Sequence, residues 1–193
     1  MSIHPVDGRD DTKSIDSIVA LLTASNHFGA SDAPQAAGAT PGWYFGDHPA
    51  SANGIPWLKD PLCASLAATP NTIQCPAETA FEALMAEVSG PPPPRGEYTV
   101  AFSGLNASIV APDFLTFGLV DTDTDCQIMC DNVSGCFFVD SYRDVNGQGG
   151  STLLTCSLYA EHHDASQATN FGGQTQPDGS VDFIIDSNGY DRH

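Results

Sequence analysis

Cys126-Gln127-Ile128-Met129-Cys130, followed by Cys136-Phe137-Phe138-Val139 and then by Leu153-Leu154-Thr155-Cys156-Ser157-Leu158-Tyr159, is the part of the chain that decides the fold. At 3.6 residues per turn, cysteines four apart share one face of a helix. The spacing predicts a helix over about 123–132. Cys136 and Cys156 lie in short apolar and aromatic runs that read as strands. A helix with two sulfurs on one stripe, next to two strands that each carry one, is built to be fastened to a sheet.

Working outward, the pattern continues as strands. Tyr98 to Phe102 alternates, Phe114 to Val120 is a second candidate, and 136–142 and 152–160 follow the helix. Val181-Asp182-Phe183-Ile184-Ile185-Asp186 closes the set, entered through Pro177-Asp178-Gly179 and left through Asn188-Gly189. The expected core is one helix against five short antiparallel strands.

Upstream the texture differs. Ser14 caps a short amphipathic helix carrying Ile15, Ile18, Val19, Leu21 and Leu22. From Ser25 to Asp60 the chain is rich in Gly, Ala, Pro and Ser, with Trp43-Tyr44-Phe45 and Trp57 embedded. A segment this long without regular pattern is either functional or draped over another surface. A second helix runs from about Pro76 to Gly90 with Phe81, Leu84, Met85 and Val88 on one face. Pro91 to Pro94 then form a stiff polyproline spacer. The expected division is an N-terminal helical and loop-rich region over 1–90, a proline linker over 91–96 and a disulfide-bearing domain over 97–193.

The chain has 193 residues, enough to bury a core, and a formal charge of −18 from 6 basic and 24 acidic side chains. Both parts are acidic, so a basic patch of any size is excluded. Nucleic acid and anionic membrane are therefore poor partners, since both need clustered Lys or Arg. No apolar run reaches the length of a membrane span, so no membrane insertion is expected.

The cysteine count is six. None of the cysteines forms a CxxC redox pair or has the His partners of a zinc finger. Disulfides and a secreted location are the expectation, supported by sequons at Asn106 and Asn132. Of the possible pairings, chain position favours Cys63 with Cys75, Cys130 with Cys136 and Cys126 with Cys156. Residues 1–7 carry neither a basic n-region nor an apolar h-region. Either Met1 stands where a leader was removed or the protein is cytosolic and reduced, and the cysteine pattern favours the first.

The stretches Asp125 to Asp131, Gly135 to Val139 and Leu154 to Tyr159 together resemble the PAN/apple module, and Ser141 to Asn146, Thr169 to Gln174 and Asp178 to Ile184 resemble a group of secreted fungal proteins, some associated with fruiting bodies. The likeness covers residues 97–190. It implies an α+β fold, an antiparallel sheet curled around a helix stapled by Cys126–Cys156 and Cys130–Cys136, preceded by a mainly helical and irregular region. The extra pair that joins the ends of apple domains is missing, as in the shorter PAN variants. The resemblance further implies binding to carbohydrate or to an extracellular protein, and the leading expectation is a secreted, non-enzymatic recognition module.

The densest titratable cluster is Glu161-His162-His163-Asp164. As a hydrolase site, one histidine would act as base with an acidic neighbour. Against that, adjacent side chains on a strand point to opposite faces, and the segment reads as a strand end facing water. No catalytic residue is assigned.

Asp121 to Asp125 alternates carboxylates, but it lacks the Gly and Glu of a calcium loop and is expected to complement the helix dipole, with Asp123 or Thr124 as cap. Asp144-Val145-Asn146-Gly147-Gln148-Gly149 lacks the closing Glu and reads as a flexible hairpin loop. No metal or cofactor is expected. For a ligand, Tyr142, Arg143, Asp144 and Asn146 combine an aromatic face, a lone cation and hydrogen-bonding groups, the mixture that sugars require. Trp43, Tyr44 and Trp57 offer a similar set, with domain packing as the competing role. Self-association into an extracellular structural assembly is a further possibility.

Overall fold

The computed structural model describes residues 30, 32–53, 55, 73–74 and 95–193. The helices expected at 14–24 and 76–90, the Cys63–Cys75 pair, Trp57 and the prolines 91–94 lie outside the described residues.

The described part is mostly sheet with one helix and two disulfides, an α+β arrangement. Its strands are β1 (Tyr44–Phe45), β2 (Ile73–Gln74), β3 (Tyr98–Leu105), β4 (Ser108–Ile109), β5 (Phe114–Val120), β6 (Phe138–Val145), β7 (Leu154–Tyr159), β8 (Ala168–Asn170), β9 (Gly172–Thr175) and β10 (Val181–Arg192). The helix, α1, spans Asp123–Asn132. One eight-stranded sheet runs β2-β1-β5-β7-β6-β10-β3, with β9 also on β10, while β4 and β8 make a two-stranded sheet. Pairing is antiparallel except for β1 against β5, which is parallel. The sheet thus draws strands from both sides of residues 91–96. Among the described residues no helix is long and apolar enough to cross a membrane.

The helix forms where the cysteine spacing places it, and its start has a clear cause. Thr122 is the N-cap, with its hydroxyl accepting from Asp125 N and its own N–H donating to Asp125 Oδ2. This reciprocal box corrects the expected cap at Asp123 or Thr124 by one or two residues. Cys126, Met129 and Cys130 make the buried stripe. Cys126 joins Cys156 on β7 across 5.5 Å between Cα atoms, and Cys130 joins Cys136 across 5.3 Å. Both helix ends are also tied by carboxylates. Asp123 accepts from Ser141 Oγ at 2.7 Å and Tyr190 Oη at 2.8 Å, and Asp131 accepts from Tyr98 Oη and Arg192 Nε at 2.9 Å each.

The core between helix and sheet contains Trp43, Phe45, Val120, Met129, Val139, Leu158 and the four cysteines. Trp43 reaches it because Gly118, in the middle of β5, has no side chain: a Cβ there would fall 2.1 Å from the indole. Its Nε1 donates to Thr116 Oγ1 at 3.3 Å. Tyr44 and Phe45 are equally buried, so these loop aromatics pack rather than present a binding surface.

A further correction concerns β10. Asn188-Gly189 is not an exit turn. The strand continues through it to Arg192, with register shifts that mark bulges. Gly189 permits this because a Cβ would meet the rings of Phe102 and Phe138.

Candidate functional site

Strand alternation sorts the residues of β6 onto two faces. Val139 packs toward α1 and Ser141 bonds to it. Phe138, Asp140, Tyr142 and Asp144 face the other side, where Phe138 packs with Phe102, Ile109 and Tyr159. The functional chemistry collects on this second face.

Asp144 lines a cavity of about 800 Å³. The wall is completed by the hairpin loop Gly147-Gln148-Gly149, by Asp182 of β10, by Gln174 and Gln176, and by the N-terminal segment from Pro34 to Thr40 with Asn53. The loop is shaped for this role: Asn146 and Gln148 both adopt left-handed backbone, φ 68° and 47°, and Gln148 Nε2 donates to Asp144 Oδ2 at 3.1 Å. Such conformations are uncommon for a glutamine and cluster at functional sites. Gly147 folds directly over the carboxylate, where a Cβ would lie 2.2 Å from Asp144 Cγ. Asp182 Oδ1 accepts the backbone N–H of Gln174, and Gln174 Nε2 donates to Gln35 O at 2.9 Å, which ties the N-terminal segment to the sheet.

The electrostatics are set by burial. Asp144 is 8% exposed, and desolvation pushes its carboxyl up to about 6, opposed by the Gln148 hydrogen bond and reinforced by the Asp182 charge. Its Oδ1 has no hydrogen-bond partner, nor has the buried Oε1 of Gln35. Unmet buried polar atoms are uncommon and call for an explanation.

Deeper on the same face lies Asp140, with no exposure at all. Ile109 N donates to its Oδ2 and Ser187 Oγ to its Oδ1, both at 2.7 Å, and burial raises its carboxyl to about 7.

The four residues expected to contact ligand are therefore separated. Tyr142 is 1% exposed, so the expected exposed stacking platform is corrected: its ring is interior, and burial raises its phenol further with help from Asp140 and Asp144. Arg143 points to the opposite face, donating to Thr152 O at 2.9 Å and lying 4.0 Å from Asp186. Asn146 is exposed and secures Val181 O at 3.0 Å. Of the four, Asp144 lines the cavity.

Sequence reasoning missed Asp182, Gln148, Gln174 and Gln35. A signal existed for Asp182, because it occupies the inward phase of the alternation that buries Ile184. The glutamines carry no such mark.

The histidine cluster disperses. His162 is exposed and pairs with Asp191 at 2.9 Å. His163 is buried against Phe138 and Tyr159 and meets Asp113 at 3.1 Å, contrary to the expected solvent-facing end. Glu161 is exposed. Among the described residues no group of three or more His, Cys, Asp or Glu converges as a metal site. Asp121, once considered as a calcium ligand, instead accepts from Tyr44 Oη at 2.9 Å and Asp47 N at 2.6 Å, and meets His48 Nδ1 at 2.8 Å. Asn106 and Asn132 of the sequons are both exposed. No family model, curated protein or solved structure matches the chain.

Proposed function

We propose that this chain is a secreted, non-enzymatic recognition module of the PAN/apple kind that binds glycan in the Asp144–Asp182 cavity. The observation that carries the reading is Asp144 itself, a largely buried carboxylate in the wall of a cavity of about 800 Å³. Carboxylates and side-chain amides are the groups that fix sugar hydroxyls in place, and Gln148, Gln174, Gln176 and Asn53 supply the amides here. The module reading is supported by the two disulfides, which join the cysteines on which the resemblance rests. Extracellular location is supported by the same bonds, which persist in oxidising surroundings.

A glycan array followed by calorimetry on the best hit tests the proposal. Asp144→Asn and Gln174→Ala should each weaken binding at least tenfold with the circular-dichroism spectrum unchanged. A hit whose affinity neither substitution alters would place the site elsewhere, and an array without hits would defeat the reading.

A further inference from the structure

Two sequons, Asn106-Ala107-Ser108 and Asn132-Val133-Ser134, have no part in the cavity. Both asparagines are exposed, so exposure does not separate them. Their surroundings do. Asn132 is the last residue of α1, its Nδ2 donates to Ile128 O at 2.8 Å, and its whole sequon lies inside the ring closed by Cys130–Cys136. Asn106 lies in the bend between β3 and β4, and among the described residues nothing bonds to its side-chain amide. What secures its sequon is Ser108, 1% exposed, whose hydroxyl accepts from Asn170 Nδ2 at 2.9 Å where β4 pairs with β8.

These constraints differ in their distance along the chain, and distance decides when each can form. Ile128 precedes Asn132 by 4 residues, and the ring around that sequon joins cysteines 6 apart. All of its partners are present as soon as this stretch is made. Asn170 lies 62 residues from Ser108, and at roughly 5–20 residues per second its synthesis follows about 3 to 12 s later. During that interval the amide of Asn106 and the hydroxyl of Ser108, the two groups that define the acceptor, are both open.

Resting on the secreted reading above, we infer that Asn106 carries an N-linked oligosaccharide and that Asn132 of the same chain stays bare. The donor is an oligosaccharide held on a lipid diphosphate. Asn106 Nδ2 bonds to C1 of the first sugar as the bond from C1 to the phosphate oxygen breaks. The lipid diphosphate leaves with the electron pair, the proton lost by Nδ2 passes to solvent, and nothing is oxidised or reduced. The finished fold accepts the product, because Asn106 is exposed and precedes the β4–β8 pair that buries Ser108. Asn106 is also absent from the cavity wall, so the attached glycan leaves the Asp144 site open.

The test is to send the full chain through the secretory route of a eukaryotic cell behind a leader peptide and to measure occupancy of each sequon by peptide mass spectrometry, in cells and medium together. Enzymatic release of glycans in heavy-oxygen water marks each formerly occupied asparagine as a labelled aspartate. Asn106 should be filled in most molecules and Asn132 in at least tenfold fewer, and Asn106→Gln should remove nearly all of the attached mass. Opening the ring with Cys130→Ser and Cys136→Ser together should raise occupancy of Asn132 at least fivefold. Cys126→Ser with Cys156→Ser, which keeps that ring, should leave Asn132 bare even if the fold is weakened. An empty Asn106, or equal filling of the two sequons, would overturn the inference. Filling of Asn132 that ignores the ring, or that rises as much with the second cysteine pair as with the first, would overturn it as well. Retention of the chain inside the cell with Asn106 filled would count against the secreted reading while supporting this assignment.

Discussion

The two faces of the central sheet are built on opposite principles. Toward α1 the sheet is apolar and closed, with Met129, Val139 and Leu158 at zero exposure around two disulfides. On the far face, Asp140, Asp144, Tyr142 and Asp182 are buried where water would be the better solvent, and several polar atoms there lack partners. Each contact on the first face adds stability, whereas each buried carboxylate on the second costs some. The same strand, β6, serves both, because alternate residues point in opposite directions. A stapled side allows the other to carry unfavourable polar burial, and that is where a ligand has something to gain.

Removing the staple should produce the largest change. Replacing Cys126 and Cys156 together by alanine opens a closure of 30 residues, and the chain-entropy model assigns such a loop about 3 to 4 kcal/mol. Urea unfolding should show a loss of that order. A midpoint unchanged from wild type, with the bond confirmed absent by mass, would mean that the apolar face needs no staple and the contrast between the faces is overstated.

The next effect belongs to the polar face and has a definite sign. Burial raises Asp140 from 3.8 to about 7, so the folded state holds the proton more tightly than the unfolded state. The stabilising contribution is complete below the unfolded value and is lost as pH rises through 7. Between pH 5 and 8 this amounts to about 3 kcal/mol of declining stability. Asp144, raised to about 6, slopes the same way over a narrower range. Asp140→Asn keeps an acceptor for Ile109 N and removes the charge, so its unfolding free energy should vary less with pH than that of wild type. Parallel pH profiles for the two proteins would show that Asp140 is not the source.

The apolar face was legible in the sequence and the polar face largely was not, for a physical reason. Cys126, Met129 and Cys130 repeat at helical spacing, and the strand runs carry alternation, so the helix at Asp123–Asn132 and five strands of the sheet are readable locally. The Asp144 cavity depends on residues from β6, β10 and the segment near Gln35 meeting in space. No local pattern encodes that meeting. Tyr142 misled because an aromatic beside polar residues reads as a surface platform, whereas β6 is a central strand with both faces covered. Asn188-Gly189 misled similarly: its composition favours a turn, but pairing on both sides with β3 and β6 holds it extended. Trp43 reads from the sequence as a packing residue or a ligand contact, and its seat on Gly118 emerges from a parallel pairing that local pattern does not announce.

The seat of Trp43 gives the third test. Gly118→Ala places a methyl group inside the indole, and overpacking of this kind costs about 1 to 3 kcal/mol. The fluorescence of Trp43 should report the displacement, with Trp57 replaced by phenylalanine so that a single indole is observed. Stability equal to that of the parent would mean that the N-terminal segment moves off the sheet without cost, and the core would then end at β5.

The smallest effect sharpens the comparison at the start of α1. Thr122→Ala removes the hydroxyl that accepts from Asp125 N and donates to Asp125 Oδ2, while the bond from Thr122 N to Asp125 Oδ2 remains. Loss of an N-cap costs about 1 kcal/mol. Because Cys126 lies in the first turn of the helix and is already tied to β7, the disulfide holds the helix start in place even when the cap is gone. The cost should therefore be smaller in the oxidised protein than after reduction. Thermal melts of Thr122→Ala and wild type, each with and without reductant, measure that difference directly. An equal cost in both states would show that cap and staple act independently, and that the helix start owes its position to Asp123 and its bonds with Ser141 and Tyr190.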